Sequence, residues 1–201
     1  MTEVDAFEVI LLAAGSGSRF GGRKLLAPYG DGVLLDGALA IALAAPVRGV
    51  IVVTGSDADE VARVARRHAE AVGQSARLNL VHAPDYAQGM GVSLAIGARA
   101  LPADTAGVFV LLGDMPRIPQ GVFATLKQAV LDGAPAAATT YRGQRGHPAL
   151  IGKTLIPRLL TLTGDAGARS IFQDLGDALA LVDSSDEGVL FDVDVRDDLA
   201  R

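Results

Sequence analysis

The segment FEVILL, at residues 7–12, is apolar at every position except Glu8. A run without alternation of polar and apolar residues is typical of a strand buried on both faces, as in parallel sheets that helices cover on both sides. Similar apolar runs alternate with amphipathic helix patterns along the rest of the chain. We therefore predict an α/β fold of Rossmann-like type, with three layers (α/β/α) around a mostly parallel sheet.

The same patterns predict the individual elements. Strands are predicted at 7–12, 49–54, 78–82, 108–112, 136–141, 148–151, 180–183 and 189–193. Helices are predicted at 34–44, 57–71, 120–131, 155–161, 168–175 and 196–200, with one more that begins near Gly91. Neither an internal repeat nor a linker interrupts the sequence, so we predict that residues 1–201 form a single domain.

Composition limits the partners of this domain. The chain has 201 residues, a net charge of −5 and no cysteine. Its apolar runs end well before the roughly 20 residues that a membrane span requires. Its first residues, MTEVDAFE, are acidic and unlike a signal peptide, and it has no long basic stripe for a nucleic acid backbone. We expect a cytoplasmic protein that binds neither membranes nor nucleic acid, with oxygen or histidine ligands for any metal.

A glycine-rich loop follows the first predicted strand, with positive charge from Arg19 and Lys24. Gly15 and Gly17 let backbone N–H groups approach phosphate oxygens closely. The loop does not fit a P-loop, because no Ser or Thr follows Lys24, and the third glycine of a dinucleotide fingerprint would fall on Phe20. We expect it to bind the phosphates of a nucleoside triphosphate; the alternative is a turn without a catalytic role.

Asp114 follows the apolar strand predicted at 108–112, in the segment Gly-Asp-Met-Pro. Ligands of open parallel sheets bind beyond the carboxyl ends of the strands, where the glycine-rich loop also lies. A carboxylate at this edge needs a compensating charge, which a divalent metal bridging phosphates would supply. The alternative is that Asp114 only caps the turn or the next helix.

Residues 12–21, LAAGSGSRFG, with Lys24 after them, resemble the LAAGxGxRxG…K signature of the nucleotidyltransferase superfamily. This resemblance implies the nucleotidyltransferase fold, a loop that wraps the triphosphate, and catalytic roles for Arg19, Lys24 and Asp114. The implied nucleotide-binding residues of this part of the chain are Leu12, Ala13, Ala14, Gly15, Ser16, Gly17, Ser18, Arg19, Lys24 and Asp114.

Two further segments resemble the metal site of that superfamily. LLGDMP, at 111–116, is similar to the segment whose Asp holds the Mg²⁺ of the nucleotide, and residues 191–199 resemble the DxDTPxDL ending that completes the site. Val195 and Arg196 replace the usual Thr and Pro, outside the acidic positions. The resemblance implies Mg²⁺ as cofactor, with Asp114 and Asp194 as its ligands. Asp192 is the alternative second ligand, and either of these later Asp residues could instead be a helix cap.

Three segments resemble one branch of the superfamily, the molybdenum cofactor cytidylyltransferases. Residues 89–94 match GMGxSL, 143–148 match GxRGHP, and 164–169 match GDxGAR. Gly89 and Ser93 lie where a helix begins, whose N–H groups could bind a phosphate or a base carbonyl, with an ordinary cap as the alternative. The residues that the resemblance assigns to the second substrate are Gln144, Arg145, His147 and Arg169.

Side-chain chemistry agrees with this assignment but leaves alternatives. A guanidinium such as Arg145 can grip a phosphate in two places, and His147 can donate to a phosphate or pterin oxygen, although a lone His is more often structural. Arg169 either binds the pterin or pairs with Asp165. His68 is predicted to lie on a solvated helix face.

The resemblance implies transfer of CMP from CTP to the terminal phosphate of molybdenum-loaded molybdopterin, which gives the cytosine dinucleotide cofactor and pyrophosphate. Cytidylyltransferases of this branch read LAAG where guanylyltransferases read LAGG, so Ala14 favours CTP. One alternative is an enzyme that uses GTP or acts on a sugar or isoprenoid phosphate. The other is a carrier of the molybdenum cofactor that transfers no nucleotide. The family also implies transient contact with a molybdoenzyme or its maturation chaperone.

Overall fold

The computed structural model describes residues 6–200. The strands of this part are β1 (Phe7–Ala13), β2 (Pro28–Tyr29), β3 (Gly32–Val33), β4 (Gly49–Thr54), β5 (Leu78–His82), β6 (Gly107–Leu112), β7 (Ala136–Tyr141), β8 (Gln144–Gly152) and β9 (Leu179–Asp183). The α-helices are α1 (Leu34–Ala44), α2 (Ala58–Ala71), α3 (Met90–Arg99), α4 (Gly121–Leu131), α5 (Ile156–Leu159) and α6 (Arg169–Leu175). Short 3-10 helices lie between several of them.

Seven strands form one sheet in the order β5-β4-β1-β6-β8-β7-β9, and β2 and β3 form a separate hairpin. β1 pairs in parallel with both β4 and β6, so that Val9 lies opposite Val50 and Phe109. β8 runs antiparallel to its neighbours β6 and β7, whereas β9 is parallel to β7. The carboxyl ends of the parallel strands therefore meet at one edge of the sheet, where ligands of such folds bind.

Helices cover both faces of the sheet and form two apolar cores. The first core packs α1, α2 and α4 against alternate residues of β1, including Val9 and Leu11. The second packs α3, α5 and α6 against the other β1 residues, including Ile10 and Leu12. β1 is buried along its whole length, which is why its sequence lacks alternation. The three-layer, mostly parallel α/β fold predicted from the sequence is confirmed.

Three predicted elements differ from the structure. β8 begins at Gln144 rather than Pro148, because Arg142 and Gly143 form a tight turn with positive φ that lets pairing with β7 start at once. The helix predicted at 155–161 is reduced to the four residues of α5. The strand predicted at 189–193 is wrong, since Val189 ends a 3-10 helix and both Val189 and Val193 are buried in the first core.

The remaining predictions need smaller corrections. The terminal helix at 196–200 is a 3-10 helix, and the short hairpin of β2 and β3 was not predicted. The domain predicted over 1–201 includes residues 1–5 and 201, which lie outside the described residues. Within residues 6–200, no helix is long and apolar enough to cross a membrane.

Candidate active site

A cavity of about 490 Å³ opens at the carboxyl ends of the parallel strands. Its walls come from the loop after β1, the segment before α3, and the residues that follow β6. The residues that line it are Leu12, Ala14, Gly15, Ser16, Gly17, Lys24, Leu25, Tyr86, Ala87, Gly89, Met90, Ser93, Leu112, Gly113, Asp114 and Asp165. A cavity of this size holds one small-molecule ligand.

The glycine-rich loop turns sharply at Gly17, which has a left-handed φ of 61°. The carbonyl of Gly17 accepts hydrogen bonds from the N–H groups of Phe20 and Gly22, both at 3.0 Å. A Cβ atom at Gly17 would lie 2.7 Å from the Cβ of Lys24. Glycine is therefore needed at this position for two reasons, because it permits the turn and because it lets the Lys24 side chain pass directly beneath the loop.

Below the glycine-rich loop, the Lys24 side chain lies between two carboxylates. Its Nζ is 2.5 Å from Oδ2 of Asp114 and 3.7 Å from Oδ1 of Asp194. Arg19 reaches the same cluster from outside, with its Nη1 3.0 Å from Oδ2 of Asp194. The side chains of Lys24 and Asp114 are only 13% and 20% exposed, whereas that of Arg19 is 79% exposed. The structure thus brings together Arg19, Lys24 and Asp114, the residues for which the resemblance implies catalytic roles.

The C-terminal segment is attached directly to the loop that carries Asp114. The N–H of Val193 donates to the carbonyl of Asp114 at 3.1 Å, which holds Asp192 and Asp194 beside it. Partial burial and the negative charges of Asp114 and Asp194 raise the pKa of Asp192 above its usual value. The positive charge of Lys24 only partly offsets this effect. Three carboxylates therefore share one local field, which is an environment that favours an added cation.

The carboxylates fit a divalent metal. Oδ1 of Asp114 is buried and has no hydrogen-bond partner, which leaves a lone pair unsatisfied. Carboxylate oxygens are the preferred ligands of hard cations such as Mg²⁺. Among residues 6–200, no group of three or more His, Asp or Glu side chains is arranged to hold an ion. An ion on Asp114 and Asp194 would thus take its remaining ligands from phosphate or water.

The other end of the cavity is built where α3 begins. Gly89 has a φ of 120°, and a Cβ atom there would collide with the backbone of Gly164. Ser93 is 4% exposed but still lines the cavity. The Cγ atom of Tyr86 would lie 2.6 Å from a Cβ at Gly55, so this ring covers the end of β4. These residues form an end wall without basic side chains, in contrast to the wall at Lys24.

Most of the predicted nucleotide-binding residues line this cavity. Those that do are Leu12, Ala14, Gly15, Ser16, Gly17, Lys24, Gly89, Ser93 and Asp114. Ala13 is a buried residue of β1 that points into the first core, and Ser18 and Arg19 are exposed residues outside the lining of the cavity. The sequence reasoning missed Tyr86, for which no motif gave a signal. It also missed Asp165 as part of this cavity, although the GDxGAR segment drew attention to it.

The residues predicted for the second substrate do not line the cavity. Gln144 and Arg145 begin β8 at the tip of the β7–β8 hairpin, and the Arg145 guanidinium stacks 5.4 Å from the ring of Phe172. Nδ1 of His147 lies 3.4 Å from the carbonyl oxygen of Val110. Burial lowers the pKa of His147, against smaller raising effects of that carbonyl and of Asp114.

For Arg169 the sequence leaves two interpretations open, and for His68 it predicts a structural one. Arg169 is exposed at the start of α6, and within the described range it forms no ion pair with Asp165. The prediction of a solvated face for His68 is wrong. Its side chain is 18% exposed and its Nδ1 lies 3.1 Å from Oδ1 of Asp36, because α2 packs this side against α1.

The site combines basic side chains and a glycine-rich loop with two neighbouring carboxylates, at the ligand-binding edge of a parallel sheet. This combination is typical of enzymes that transfer phosphoryl groups of nucleotides. The chain superposes on the homologue of Mycobacterium tuberculosis rv0371c from Mycobacterium sp. strain JC1 with a TM-score of 0.84. The two are 28% identical, and the match covers 100% of this chain and 96% of that chain.

Residues 9–179 match the MobA-like NTP transferase domain, and the chain belongs to that family of nucleotidyltransferases. It is 30% identical to the molybdenum cofactor cytidylyltransferase of Escherichia coli (strain K12) over 196 residues, 97% of this chain and 94% of that protein. It is also 31% identical to the nicotine blue oxidoreductase of Paenarthrobacter nicotinovorans over 209 residues, 100% of this chain and 98% of that protein. Similarity alone therefore gives the family but not the substrate.

Proposed function

We propose that this enzyme transfers CMP from CTP to the terminal phosphate of molybdenum-loaded molybdopterin, releasing pyrophosphate. The observation that carries the proposal is the position of Lys24 between Asp114 and Asp194, beneath the glycine-rich loop. This arrangement supplies the charges that nucleotidyl transfer requires. The similarity to the cytidylyltransferase of Escherichia coli supports molybdopterin as the acceptor.

The proposed chemistry asks little of the protein beyond position and charge. The terminal phosphate of molybdopterin is a monoester whose second pKa is about 6, so it is largely dianionic at neutral pH and needs no strong general base. One of its oxygens attacks the α-phosphorus of CTP, the bond from that phosphorus to the bridging oxygen breaks, and pyrophosphate leaves. Lys24, Arg19 and the backbone N–H groups of Gly15 to Gly17 stabilise the charge on the phosphate oxygens.

A solved structure of Rv0371c from Mycobacterium tuberculosis, 21% identical to this chain, is a complex with manganese, and we propose Mg²⁺ for this chain. Asp114 and Asp194 would hold it, with Asp192 beside them. Bound there, the ion would neutralise phosphate charge and make the α-phosphorus more electrophilic. The unpartnered Oδ1 of Asp114 supports this assignment, because a buried carboxylate oxygen is costly without a ligand.

A separate acceptor site fits the positions of the remaining predicted residues. We propose that Gln144, Arg145, His147 and Arg169 bind the molybdopterin substrate. They lie outside the nucleotide cavity, and β8 begins at the same edge of the sheet as the glycine-rich loop, because its partner β7 runs parallel to β1.

Ala14 supports CTP as the nucleotide. It is one of the residues that line the cavity, with 4% of its surface exposed. A methyl group at this position narrows the space for a base relative to glycine, which favours a pyrimidine ring over a purine. We also propose transient contact with a molybdoenzyme or its maturation chaperone as the route by which the product leaves.

The experiment that tests the proposal is pyrophosphate release by purified protein with molybdenum-loaded molybdopterin, Mg²⁺ and either CTP or GTP. We expect release with CTP that depends on the pterin. Preference for GTP would contradict the argument from Ala14 but keep the class of reaction. Tight binding of the pterin without release from either nucleotide would instead support a carrier function.

A further inference from the structure

Asp165 is a carboxylate in the wall of the nucleotide cavity for which the proposed chemistry has no role. Its side chain makes no hydrogen bond or ion pair within the described part of the chain. Its Oδ1 would lie 2.6 Å from a Cβ atom at Gly89, so the carboxylate rests against the backbone where α3 begins. Asp165 is exposed, so water solvates its carboxylate in the free protein, but its charge would repel phosphates placed next to it.

The loop that carries Asp165 is firmly attached to the start of α3. The N–H of Gly91 donates to the carbonyl oxygen of Gly164 at 2.7 Å. A Cβ at Gly91 would lie 2.7 Å from the carbonyl oxygen of Thr163, and one at Gly167 would lie 3.1 Å from Sδ of Met90. Glycines at these positions permit the close approach of loop and helix. The packing of the loop backbone therefore places Asp165, an exposed residue, in the cavity wall.

The position of this wall in the sheet shows which part of a nucleotide it faces. Tyr86 and Gly89 follow β5, whereas Asp114 follows β6. β4 and β1 lie between those two strands, so the two walls are separated by three strand spacings, or about 14 Å. A nucleotide with its phosphates at the glycine-rich loop and Asp114 would place its nucleoside toward Asp165.

A carboxylate only accepts hydrogen bonds, so its partner must be a donor. The nucleoside of CTP offers the exocyclic amino group of cytosine and the ribose hydroxyls. Ser93, 4% exposed with a hydroxyl that makes no hydrogen bond in residues 6–200, stands in the same wall and offers a second polar contact. Both side chains are thus available to the nucleoside.

We infer that Asp165 is a specificity-determining residue whose carboxylate accepts a hydrogen bond from a donor group of the bound nucleoside. The inference rests on the proposed function, since it requires that the cavity hold a nucleoside triphosphate. The inference adds a nucleotide contact from a segment outside the glycine-rich loop. It also gives the Asp165 carboxylate a role in the cavity at a distance from the phosphates.

The test is calorimetric titration of the folded protein with CTP, UTP, 2′-deoxy-CTP and 3′-deoxy-CTP in the presence of Mg²⁺. The variants are Asp165→Ala and Asp165→Asn, with Asp177→Asn as the control for loss of one exposed acid away from the cavity. Circular dichroism melting of each variant confirms that it is folded. Loss of a hydrogen bond to a charged group is expected to weaken CTP binding about tenfold or more in Asp165→Ala, with no change in the control.

The nucleotide series identifies the donor. If it is the cytosine amino group, Asp165→Ala weakens CTP but not UTP, and Asp165→Asn improves UTP because the amide can donate to the uracil carbonyl. If it is a ribose hydroxyl, both nucleotides weaken equally, and the matching deoxynucleotide becomes insensitive to the substitution. Either pattern supports the inference.

Two results would overturn it, and they differ from failure of the proposed function. Unchanged dissociation constants for CTP and UTP in Asp165→Ala would show that the carboxylate does not contact the nucleoside. The same holds if, in the pyrophosphate-release assay, the substitution raises only the KM for the pterin acceptor, which would place Asp165 on the acceptor side. A wild-type protein that binds none of these nucleotides would instead contradict the proposed function itself.

Discussion

Replacing Asp114 with asparagine separates the catalytic role of this carboxylate from its structural one. The substitution keeps the shape of the side chain and one oxygen for the Lys24 ammonium, but removes the charge. Breaking a buried ion pair costs about 3–5 kcal/mol when one charge is left without a partner. Here Lys24 keeps Asp194 at 3.7 Å, and the repulsion among Asp114, Asp192 and Asp194 is relieved.

We therefore expect a loss of stability of only about 1–2 kcal/mol, which for a chain of this size lowers the melting temperature by about 2–8 °C. Turnover depends on the charge itself, and loss of one preorganised electrostatic group typically lowers kcat by about 100-fold or more. The assays are pyrophosphate release at saturating substrates and thermal melting.

The matched control is Asp104→Asn, which removes an exposed carboxylate that binds Arg48 at 2.9 and 3.0 Å, away from the cavity. It should leave turnover unchanged. Near-normal turnover in Asp114→Asn would refute the reasoning, because the carboxylate would then not act on the reacting phosphates. A collapse of the fold would also refute it, since Asp114 would then be a structural residue.

Three other perturbations have defined outcomes. Lys24→Gln removes the ammonium group from between the two carboxylates. Calorimetry without nucleotide should therefore show tighter Mn²⁺ binding, although turnover falls. Weaker or unchanged Mn²⁺ binding would contradict competition between Lys24 and the metal. Gly89→Ala forces an alanine to a φ of 120° and against Gly164, so we expect a loss of about 1–3 kcal/mol or more in denaturant unfolding. Gly121→Ala, where no atom lies within 4 Å of the new Cβ, is the control and should be neutral or stabilising. Burial lowers the pKa of His147 in the folded protein below the unfolded value of about 6.5. Just below pH 6.5 the unfolded chain therefore binds more protons at this residue than the folded chain does. His147 should thus destabilise the fold as the pH falls through that value. Urea unfolding from about pH 5 to pH 8 should therefore show a weaker pH dependence in His147→Gln than in the wild type; equal slopes would show that the histidine is not held neutral.

The parts of the fold that the sequence predicts well are those where burial fixes the pattern. α1, β4 and β7 are mostly apolar and mostly buried, and they have the predicted bounds. β5 also has the predicted bounds, although its residues are only partly buried or exposed. The segment at 189–193 was misread for a physical reason. Val189 and Val193 are buried in the first core, and the 3-10 helix that ends at Val189 packs against β7 and β8. The N–H of Val193 donates to the carbonyl of Asp114 instead of to a strand.

The candidate site also has a part that the sequence predicts and a part that it does not. Residues that follow strands, such as Gly15 and Asp114, could be predicted because parallel strands bring their carboxyl ends together. The placement of Lys24 between two acids, which are 90 and 170 residues away along the chain, depends on tertiary packing and has no local signature. Asp165 lies in the cavity wall because its loop contacts the start of α3. The spacing of residues in the sequence does not predict this contact.

The most direct test of the central claim follows the α-phosphate of the nucleotide. CTP labelled at the α-phosphate is incubated with the protein, Mg²⁺ and molybdenum-loaded molybdopterin, and the pterin product is separated and counted. The account predicts that the label moves to the pterin in equal amount to the pyrophosphate released, and that Asp114→Asn abolishes this transfer. Pyrophosphate release with the label left on free CMP, or no transfer from CTP or GTP, would contradict it.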